Sequence, residues 1–293
     1  MMDARKLTLE LGGRWHRRYG VAPCPCCQAA RRRGQSALTL ADGQAGLLLN
    51  CKKSGCDFRD ILTAAGLRTG DYAPPDPATL AKREAERRAE ADKRAAQAQR
   101  LWNEARPVAG TVAESYLRGR GIACPLPETL RFHPSCFHGA SGQRFPAMLA
   151  LVEGADGFGL HRTWLRPDGT GKAPVTPAKA MLGAAAGGAV RLTEGAGRLL
   201  VGEGVESTFS AFILRGDARA QAWAALSTSG MRGLRLPAKP GALTIAPDGD
   251  APGREAAHAL AHRAHALGWQ CSIFEPGDGL DFNDILNGKA VAA

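Results

Sequence analysis

The sequence of 293 residues is poor in aromatic side chains, at 6% of the total, and contains no long apolar run. A membrane-spanning helix needs ~20 consecutive apolar residues, so no membrane partner is expected. Charged and apolar residues alternate over the first residues, which differs from the apolar core of a secretion signal. We therefore expect a cytoplasmic protein. Few aromatics together with 36 glycines predict short elements joined by many turns.

A nucleotide-binding P-loop is also absent. The segment from Gly169 to Lys172 resembles one superficially, but Arg166 stands where the first glycine is required and Ala173 replaces the Ser or Thr. This excludes the P-loop classes of NTPase.

Positive charge is in excess, with 38 Lys and Arg against 28 Asp and Glu, a formal net charge of +10. Such an excess favours a polyanionic partner, nucleic acid first, through phosphate contacts and counterion release. The alternative is a soluble basic protein without such a partner.

The chain divides into four segments by composition. Residues 1–70 carry the paired cysteines, and residues 71–105 have the Ala, Arg, Glu, Lys and Gln content of a solvated helical linker. Residues 106–197 predict a basic α+β module rich in Gly and Pro. Residues 198–293 alternate apolar strands with helices, the pattern of a parallel sheet with helices on its faces. The fold class is therefore multidomain, α+β and α/β.

Two close pairs of cysteines predict a structural zinc site. Their members are Cys24, Cys27, Cys51 and Cys56. A hairpin predicted over 37–40 and 46–49 joins the pairs, as in a zinc ribbon, and zinc binding should be coupled to folding. Cys26 could replace Cys27 as a ligand, although the spacing favours Cys27. Buried free thiols are the alternative reading.

Carboxylates follow three elements of the predicted parallel sheet. Glu203 follows a strand at 199–202, and Asp248 and Asp250 follow a strand at 242–246; Asp281 and Asp284 come after the last strand. Ligands bind where such strands end. Carboxylates gathered there repel one another unless hard cations neutralise them, which predicts Mg²⁺ or Mn²⁺ and two-metal phosphoryl transfer. Helix capping is the alternative role for Asp250, and a first-turn position facing the helix dipole is the alternative for Glu203.

Aromatic and cationic residues are candidates for contact with nucleic acid or nucleotide. Trp15 and Tyr19 flank the first cysteine pair and could stack on bases or pack the small core. Seven cationic or ionisable side chains of the middle module could hold a template backbone or a triphosphate, or could be solvated surface. They are Arg118, Arg120, His161, Arg162, Arg166, Lys172 and Lys179.

Three acidic motifs resemble the Toprim domain shared by primases, topoisomerases and some nucleases. They are Glu203-Gly204, Asp248-Gly249-Asp250 and Asp281-Phe282-Asn283-Asp284, within about residues 190–290. Residues 159–165 and 179–183 resemble the module that precedes Toprim in primase-like proteins of phages and proteobacterial mobile elements. In that family the ribbon often has a His where Cys27 stands here.

The resemblance implies a DNA primase that makes short RNA primers on single-stranded DNA. By the same resemblance Glu203 would act as general acid or base or orient the attacking 3′-hydroxyl, Asp248 and Asp250 would bind Mg²⁺, and Asp281 and Asp284 would assist. The ribbon would hold the template, and NTPs would be the substrates.

Other functions are compatible with a Toprim domain. A Toprim nuclease and a noncatalytic DNA-binding replication factor are the alternatives, whereas a topoisomerase would need a nucleophilic tyrosine in a large additional domain. Because the sequence has no helicase motor, a separate replicative helicase is the expected partner.

Overall fold

In the computed structural model, residues 3–16, 19–30, 34–43, 46–68 and 76–288 are described. They form two compact units, Met1–Arg87 and Arg88–Ala293. The predicted boundary between residues 70 and 71 lies outside the described residues. Within the described ranges, no helix is both long enough and apolar enough to cross a membrane.

The first unit is a small antiparallel sheet flanked by two short helices. Its elements are α1 (Ala4–Glu10), β1 (Arg14–His16), β2 (Tyr19–Ala22), β3 (Leu38–Asp42), β4 (Leu47–Cys51) and α2 (Phe58–Ala64), with strand order β1-β2-β3-β4. The carboxylate of Asp3 accepts from the Lys6 N–H at 2.7 Å and so begins α1. Strands β3 and β4 pair antiparallel, which confirms the predicted hairpin.

Helix α1 lies close to β2. A Cβ at Gly20 would lie 1.8 Å from Oγ1 of Thr8, a buried residue of α1, so only glycine permits this approach. Leu7, Leu38 and Ile61 are almost fully buried between the sheet and the helices. Burial of each such side chain contributes about 1.5–3 kcal/mol.

The predicted linker is a helix, α3 (Pro77–Glu104). Asp76 accepts from the Thr79 N–H at 2.9 Å and begins it. Its side chains are mostly exposed, with Ala98 and Trp102 buried near its end. The helix is therefore solvated over most of its length, as its composition predicts.

A five-stranded antiparallel sheet begins the second unit. Its elements are β5 (Arg106–Pro107), α4 (Val112–Gly119), β6 (Leu130–His138), β7 (Gln143–Val152), β8 (Gly159–Trp164) and β9 (Lys179–Gly183), with strand order β5-β6-β7-β8-β9. Strand β6 carries a bulge between His133 and Cys136. This sheet and α4 form the α+β region expected for the middle of the chain.

A second five-stranded sheet completes the unit, in the order β10-β12-β11-β13-β14. Its elements are β10 (Val190–Arg191), β11 (Leu199–Gly202), α5 (Val205–Arg215), β12 (Gln221–Ala224), α6 (Thr228–Gly233), β13 (Ala242–Ala246), α7 (Ala251–Ala266), β14 (Gln270–Ile273) and α8 (Phe282–Leu286). Strands β12, β11, β13 and β14 are parallel, and β10 is antiparallel at the edge. The predicted parallel sheet is confirmed.

One apolar core joins the two sheets of this unit. Leu117 and Phe132 from the first half pack in the same cluster as Leu200, Phe209 and Phe282 from the second. Because the core is continuous, side chains of α4 and β9 are held in fixed positions next to α5.

Candidate metal sites and a buried charge cluster

Four cysteines converge in the first unit. The Sγ atoms of Cys24, Cys27, Cys51 and Cys56 all lie within 4.8 Å of one another. Gln28 is buried between the two pairs, where its side-chain oxygen accepts from the N–H groups of Cys24 at 3.1 Å and Ala37 at 3.0 Å. Cys26 is outside the cluster, so the geometry selects Cys27. This arrangement fits the tetrahedral thiolate set of structural zinc.

The pKa values of the Cys51 and Cys56 thiols are shifted in opposite directions. Burial opposes ionisation of Cys51, yet the N–H groups of Ser54, Cys56 and Lys53 lower the pKa of its thiol to about 6. Burial and hydrogen bonding with Cys51 raise the pKa of Cys56. Because the four Sγ atoms lie so close together, a bound cation would favour ionisation of the whole set.

Trp15 and Tyr19 have different environments. Trp15 packs against the core of the first unit, whereas Tyr19 is 45% exposed and stacks on His16 with ring centroids 5.3 Å apart. Tyr19, Leu48 and Phe58 line an open groove of about 560 Å³ on the sheet. Tyr19 is therefore the member of the predicted pair that is free to stack on a ligand.

Glu203 and Asp248 lie at the same edge of the parallel sheet. Glu203 directly follows β11, and Asp248 follows the neighbouring strand β13, with Gly202 paired to Ala246 at the strand ends. A Cβ at Gly249 would lie 1.9 Å from the Gly277 carbonyl oxygen, and the Gly249 N–H donates to Leu280 O at 2.8 Å. This contact brings the segment before Asp281 against the Asp248 turn.

Burial and acidic neighbours raise the pKa of two carboxyl groups at this edge, Glu203 and Asp248. Burial, followed by the charges of Asp248 and Asp250, raises the pKa of Glu203 to about 7. Burial and the charges of Asp281 and Asp250 raise the pKa of Asp248, although the Ser207 hydroxyl donates to its Oδ1 at 2.9 Å. The edge therefore carries unrelieved negative charge.

Three of the predicted carboxylates cap helices. Asp250 accepts from the Gly253 N–H at 2.7 Å at the start of α7. Asp281 accepts from the Asp284 N–H at 2.8 Å, and Asp284 accepts in return from the Asp281 N–H at 3.4 Å, a capping box at α8. A carboxylate has roughly four acceptor positions and a cap uses one, so capping by Asp250 and Asp281 does not prevent metal binding.

Among the described ranges, the four cysteines are the one group of three or more potential ligands close enough to hold a single ion. The carboxylates at the sheet edge do not form such a closed set. Mg²⁺ takes few protein carboxylates and keeps waters and substrate phosphates as ligands. The donor set and its mutual repulsion therefore fit a hard cation that is shared with a substrate.

A buried ion cluster lies next to this edge. Glu206, in the first turn of α5, is 3% exposed. Its carboxylate accepts from the Tyr116 hydroxyl at 2.6 Å and from Lys179 Nζ at 2.8 Å, and Lys172 Nζ lies 3.8 Å away. Burial opposes ionisation, but the charges of Lys179 and Lys172 hold the pKa of Glu206 well below its usual range.

Glu206 and Tyr116 are not among the site residues predicted from the sequence. Tyr116 lies 90 residues before Glu206, so their contact has no local signal. In the structure Glu206 lies between Val205 and Ser207 in a turn where all three residues are buried. A buried charge requires a partner.

His161 faces the same cluster. Burial and the charges of Lys179 and Lys172 lower its pKa to about 4, so the imidazole is neutral at neutral pH. In the part of the chain that is described, its buried Nδ1 and the buried Oγ1 of Thr163 have no hydrogen-bond partner. Both residues lie on β8, next to the strand that carries Lys179.

The four predicted arginines are in different settings. Arg118 donates to the carbonyls of Ile122 at 2.7 Å and Cys124 at 2.9 Å. Arg162 is stacked over the Trp164 ring at 4.8 Å. Arg166 is exposed, and the buried Nε of Arg120 has no partner among the described residues. Of these, the charge of Arg120 acts on both Tyr116 and Lys172, which places it near the Glu206 cluster.

Two family sequence models match the second unit. One, described as Toprim domain, matches residues 198–291. The other, described as Domain of unknown function (DUF7146), matches residues 92–192. A search of curated proteins found no match.

Matches among solved structures include three primase structures. A DNA primase domain from Pseudomonas aeruginosa is 16% identical, with a TM-score of 0.37 over 62% of this chain and 69% of its own. The zinc-binding and RNA polymerase domains of the Aquifex aeolicus primase are 12% identical, with a TM-score of 0.43 over 98% and 80%.

The primase fragment of the bacteriophage T7 primase-helicase protein is 13% identical, with a TM-score of 0.33 over 92% of this chain and 95% of its own. The Toprim match covers the strands and loops that carry Glu203, Asp248, Asp250, Asp281 and Asp284. The four-cysteine cluster fits a zinc ribbon. Residues 198–291 of this chain belong to the Toprim domain family, and they follow a cysteine cluster of zinc-ribbon type.

Proposed function

We propose that this chain is a DNA primase that synthesises short RNA primers on single-stranded DNA by metal-dependent nucleotidyl transfer. The observation that carries the proposal is the position of Lys179, whose Nζ lies 2.8 Å from Oε2 of the buried Glu206 and 4.0 Å from where a Cβ on Gly204, the residue after Glu203, would lie. Polymerisation of NTPs needs carboxylates for metal and cations for triphosphate in one place.

In this proposal Asp248 and Asp250 hold Mg²⁺ or Mn²⁺, and Asp281 and Asp284 add negative charge beside them. When bound, the metal neutralises the triphosphate and favours ionisation of the attacking hydroxyl. Asp248 is suited to this role because its raised pKa reflects a charge that a cation would stabilise.

Glu203 is the proposed proton acceptor. Its pKa of about 7 suits a group that takes a proton at neutral pH. The 3′-oxygen of the primer attacks the α-phosphorus of the incoming NTP; the new bond joins O3′ to phosphorus, and pyrophosphate leaves. Glu203 accepts the hydroxyl proton or orients that hydroxyl.

Lys172, Lys179, Arg120 and His161 are proposed to contact the nucleotide phosphates. The two lysines surround one carboxylate, which leaves positive charge for a polyanion. Arg118, Arg162 and Arg166 remain predictions as contacts to the template backbone. Arg166 is supported by its exposure, whereas the guanidinium of Arg118 already binds backbone carbonyls.

The cysteine cluster is proposed to bind structural zinc and to hold the template through the sheet of the first unit. Tyr19 and Phe58 are exposed aromatics on the same groove, and stacking on unpaired bases is a sequence-tolerant way to hold single strands. Trp15 would support this sheet from the core side. A separate replicative helicase stays a prediction from the sequence.

The test is primer synthesis on single-stranded DNA with labelled NTPs and Mg²⁺, with cleavage of the template followed in the same gel. Asp248→Asn should abolish the RNA products. Asp156→Asn, at an exposed carboxylate paired with Arg235, is the matched control and should leave them unchanged. Template cleavage without synthesis would assign a Toprim nuclease, and neither activity would assign a noncatalytic DNA-binding factor.

A further inference from the structure

Glu206 binds more positive charge than a structural ion pair requires. A buried carboxylate needs one opposite charge and hydrogen bonds to its remaining lone pairs. Lys179 and the Tyr116 hydroxyl already supply these at 2.8 Å and 2.6 Å. Lys172 adds a second ammonium, so the cluster of Glu206, Lys172 and Lys179 carries one surplus positive charge.

The two lysines are not equivalent. Lys179 is hydrogen-bonded to Oε2 of Glu206, whereas Lys172 lies 3.8 Å from Oε1, beyond hydrogen-bond distance. The Lys172 side chain also keeps 37% of its surface exposed. Lys179 is thus fixed by Glu206, and Lys172 is available to an additional anion.

Lys179 lies beside the turn that carries Glu203. Its Nζ is 4.0 Å from the position that a Cβ on Gly204 would occupy. The Lys179 ammonium is therefore in van der Waals range of the residue that follows Glu203. Glu206 therefore sets where Lys179 stands relative to the sheet edge.

Unpaired polar atoms face the same place. Nδ1 of His161 and Oγ1 of Thr163 are buried and, within the described residues, have no hydrogen-bond partner. Thr163 is the register partner of Lys179 on the adjacent strand. Buried polar atoms without partners are uncommon in proteins and indicate a ligand or water at that position.

We propose that Glu206 is a positioning residue, which fixes Lys179 beside the Glu203 turn and leaves Lys172 to contact the triphosphate of the incoming nucleotide. This inference rests on the proposed function. Tyr116 supports it by holding Oε1 of Glu206. Neither residue touches the nucleotide, and both act through the lysines.

A double-mutant cycle tests this role. Glu206→Gln keeps the side-chain volume and removes the charge. We expect kcat at saturating ATP to fall about tenfold because Lys179 is misplaced. The Kd for ATP should not rise, because a further positive charge is left in the pocket. In a Lys179→Met background the same substitution should change kcat by less than about twofold.

Glu255→Gln is the matched control, since it changes net charge equally at an exposed pair with Arg232 and should alter neither quantity. An equal loss of kcat in both backgrounds, or a higher Kd for ATP in Glu206→Gln, would overturn the proposal. If Glu206→Gln does not fold, Tyr116→Phe removes one hydrogen bond to the same carboxylate. Tyr116→Phe should lower kcat less than Glu206→Gln does, and this loss should also disappear in the Lys179→Met background.

ATP binding separates this inference from the proposed function. If the native chain binds ATP but makes no primer, the primase proposal fails. The positioning role of Glu206 is then tested by ATP binding alone. A Kd for ATP that rises in Lys172→Met but not in Glu206→Gln would support this role. A Kd for ATP that rises in Glu206→Gln would contradict it.

Discussion

The cysteine cluster and the acidic edge are both candidate metal sites, and they differ in how complete they are. Four Sγ atoms converge within 4.8 Å in the first unit, whereas the carboxylates of the second unit do not form such a group among the described residues. A complete ligand set links metal binding to folding. An incomplete set leaves ligand positions for substrate and links metal binding to catalysis.

Loss of zinc should give the largest change in stability, and it should affect the first unit alone. Chelation should remove about 10 kcal/mol or more of stabilisation from the first unit, because structural zinc contributes its binding free energy to folding. Cys51→Ser should lower zinc stoichiometry and template binding while the Toprim domain stays folded, measured by metal analysis and hydrogen exchange. Cys26→Ser, outside the cluster, is the control. Unchanged zinc content in Cys51→Ser would contradict the ribbon.

Breaking the buried ion cluster should destabilise the second unit without any metal. Lys179→Met leaves the buried Glu206 carboxylate with the Tyr116 hydrogen bond and, as its one nearby cation, the more distant Lys172, and we expect a loss of about 3 kcal/mol in the free energy of unfolding. Urea unfolding measures it. Lys239→Met, at an exposed lysine, should cost almost nothing. Equal stability of the two variants would mean that the cluster is not a structural element.

Removing a carboxylate at the acidic edge should raise the free energy of unfolding, in contrast to breaking the ion cluster. Asp248→Asn should stabilise the metal-free chain by about 1 kcal/mol, because it relieves repulsion by Asp281 and Asp250 while its remaining side-chain oxygen can still accept from the Ser207 hydroxyl. Stabilisation by added Mg²⁺ should disappear in the same variant. Thermal unfolding with and without Mg²⁺ checks both, with Asp156→Asn as control. Destabilisation of the metal-free variant would contradict an edge that is strained by its charges.

Glu203 should also make the stability of the metal-free chain depend on pH. Its pKa rises from 4.5 to about 7 on folding, so the folded state binds more protons than the unfolded state between these values. The stability contribution is present below pH 4.5 and is lost as pH rises through 7. Between pH 4.5 and 7, the free energy of unfolding of the metal-free chain, measured with urea, should therefore fall more steeply in the native chain than in Glu203→Gln. Parallel curves would show that Glu203 is not perturbed.

The parallel sheet was largely predictable from the sequence. Its strands are short apolar runs bounded by Gly, Pro and Asp, and the strands predicted at 199–202 and 242–246 are β11 and β13. The placement of Glu203 and Asp248 at one edge follows from this pattern alone, since parallel neighbours end together. The cysteine pairs were equally readable, because their spacing is local.

The middle sheet and the ion cluster were not predictable in this way. Strand β6 contains Pro134 and a bulge, which interrupt the alternation that identifies a strand. The Tyr116 and Lys179 contacts to Glu206 join three elements that are far apart in sequence. Only packing brings them together, and the charges then stabilise one another in place.

The shared core of the second unit limits how this protein can be divided or recombined. Separate family models match residues 92–192 and 198–291, yet Glu206 of the latter depends on Tyr116 and Lys179 of the former. A Toprim segment transferred by recombination without its neighbour would carry a buried carboxylate with no counter-charge. These two segments should therefore be inherited as a pair, so the heritable module is larger than either recognised domain.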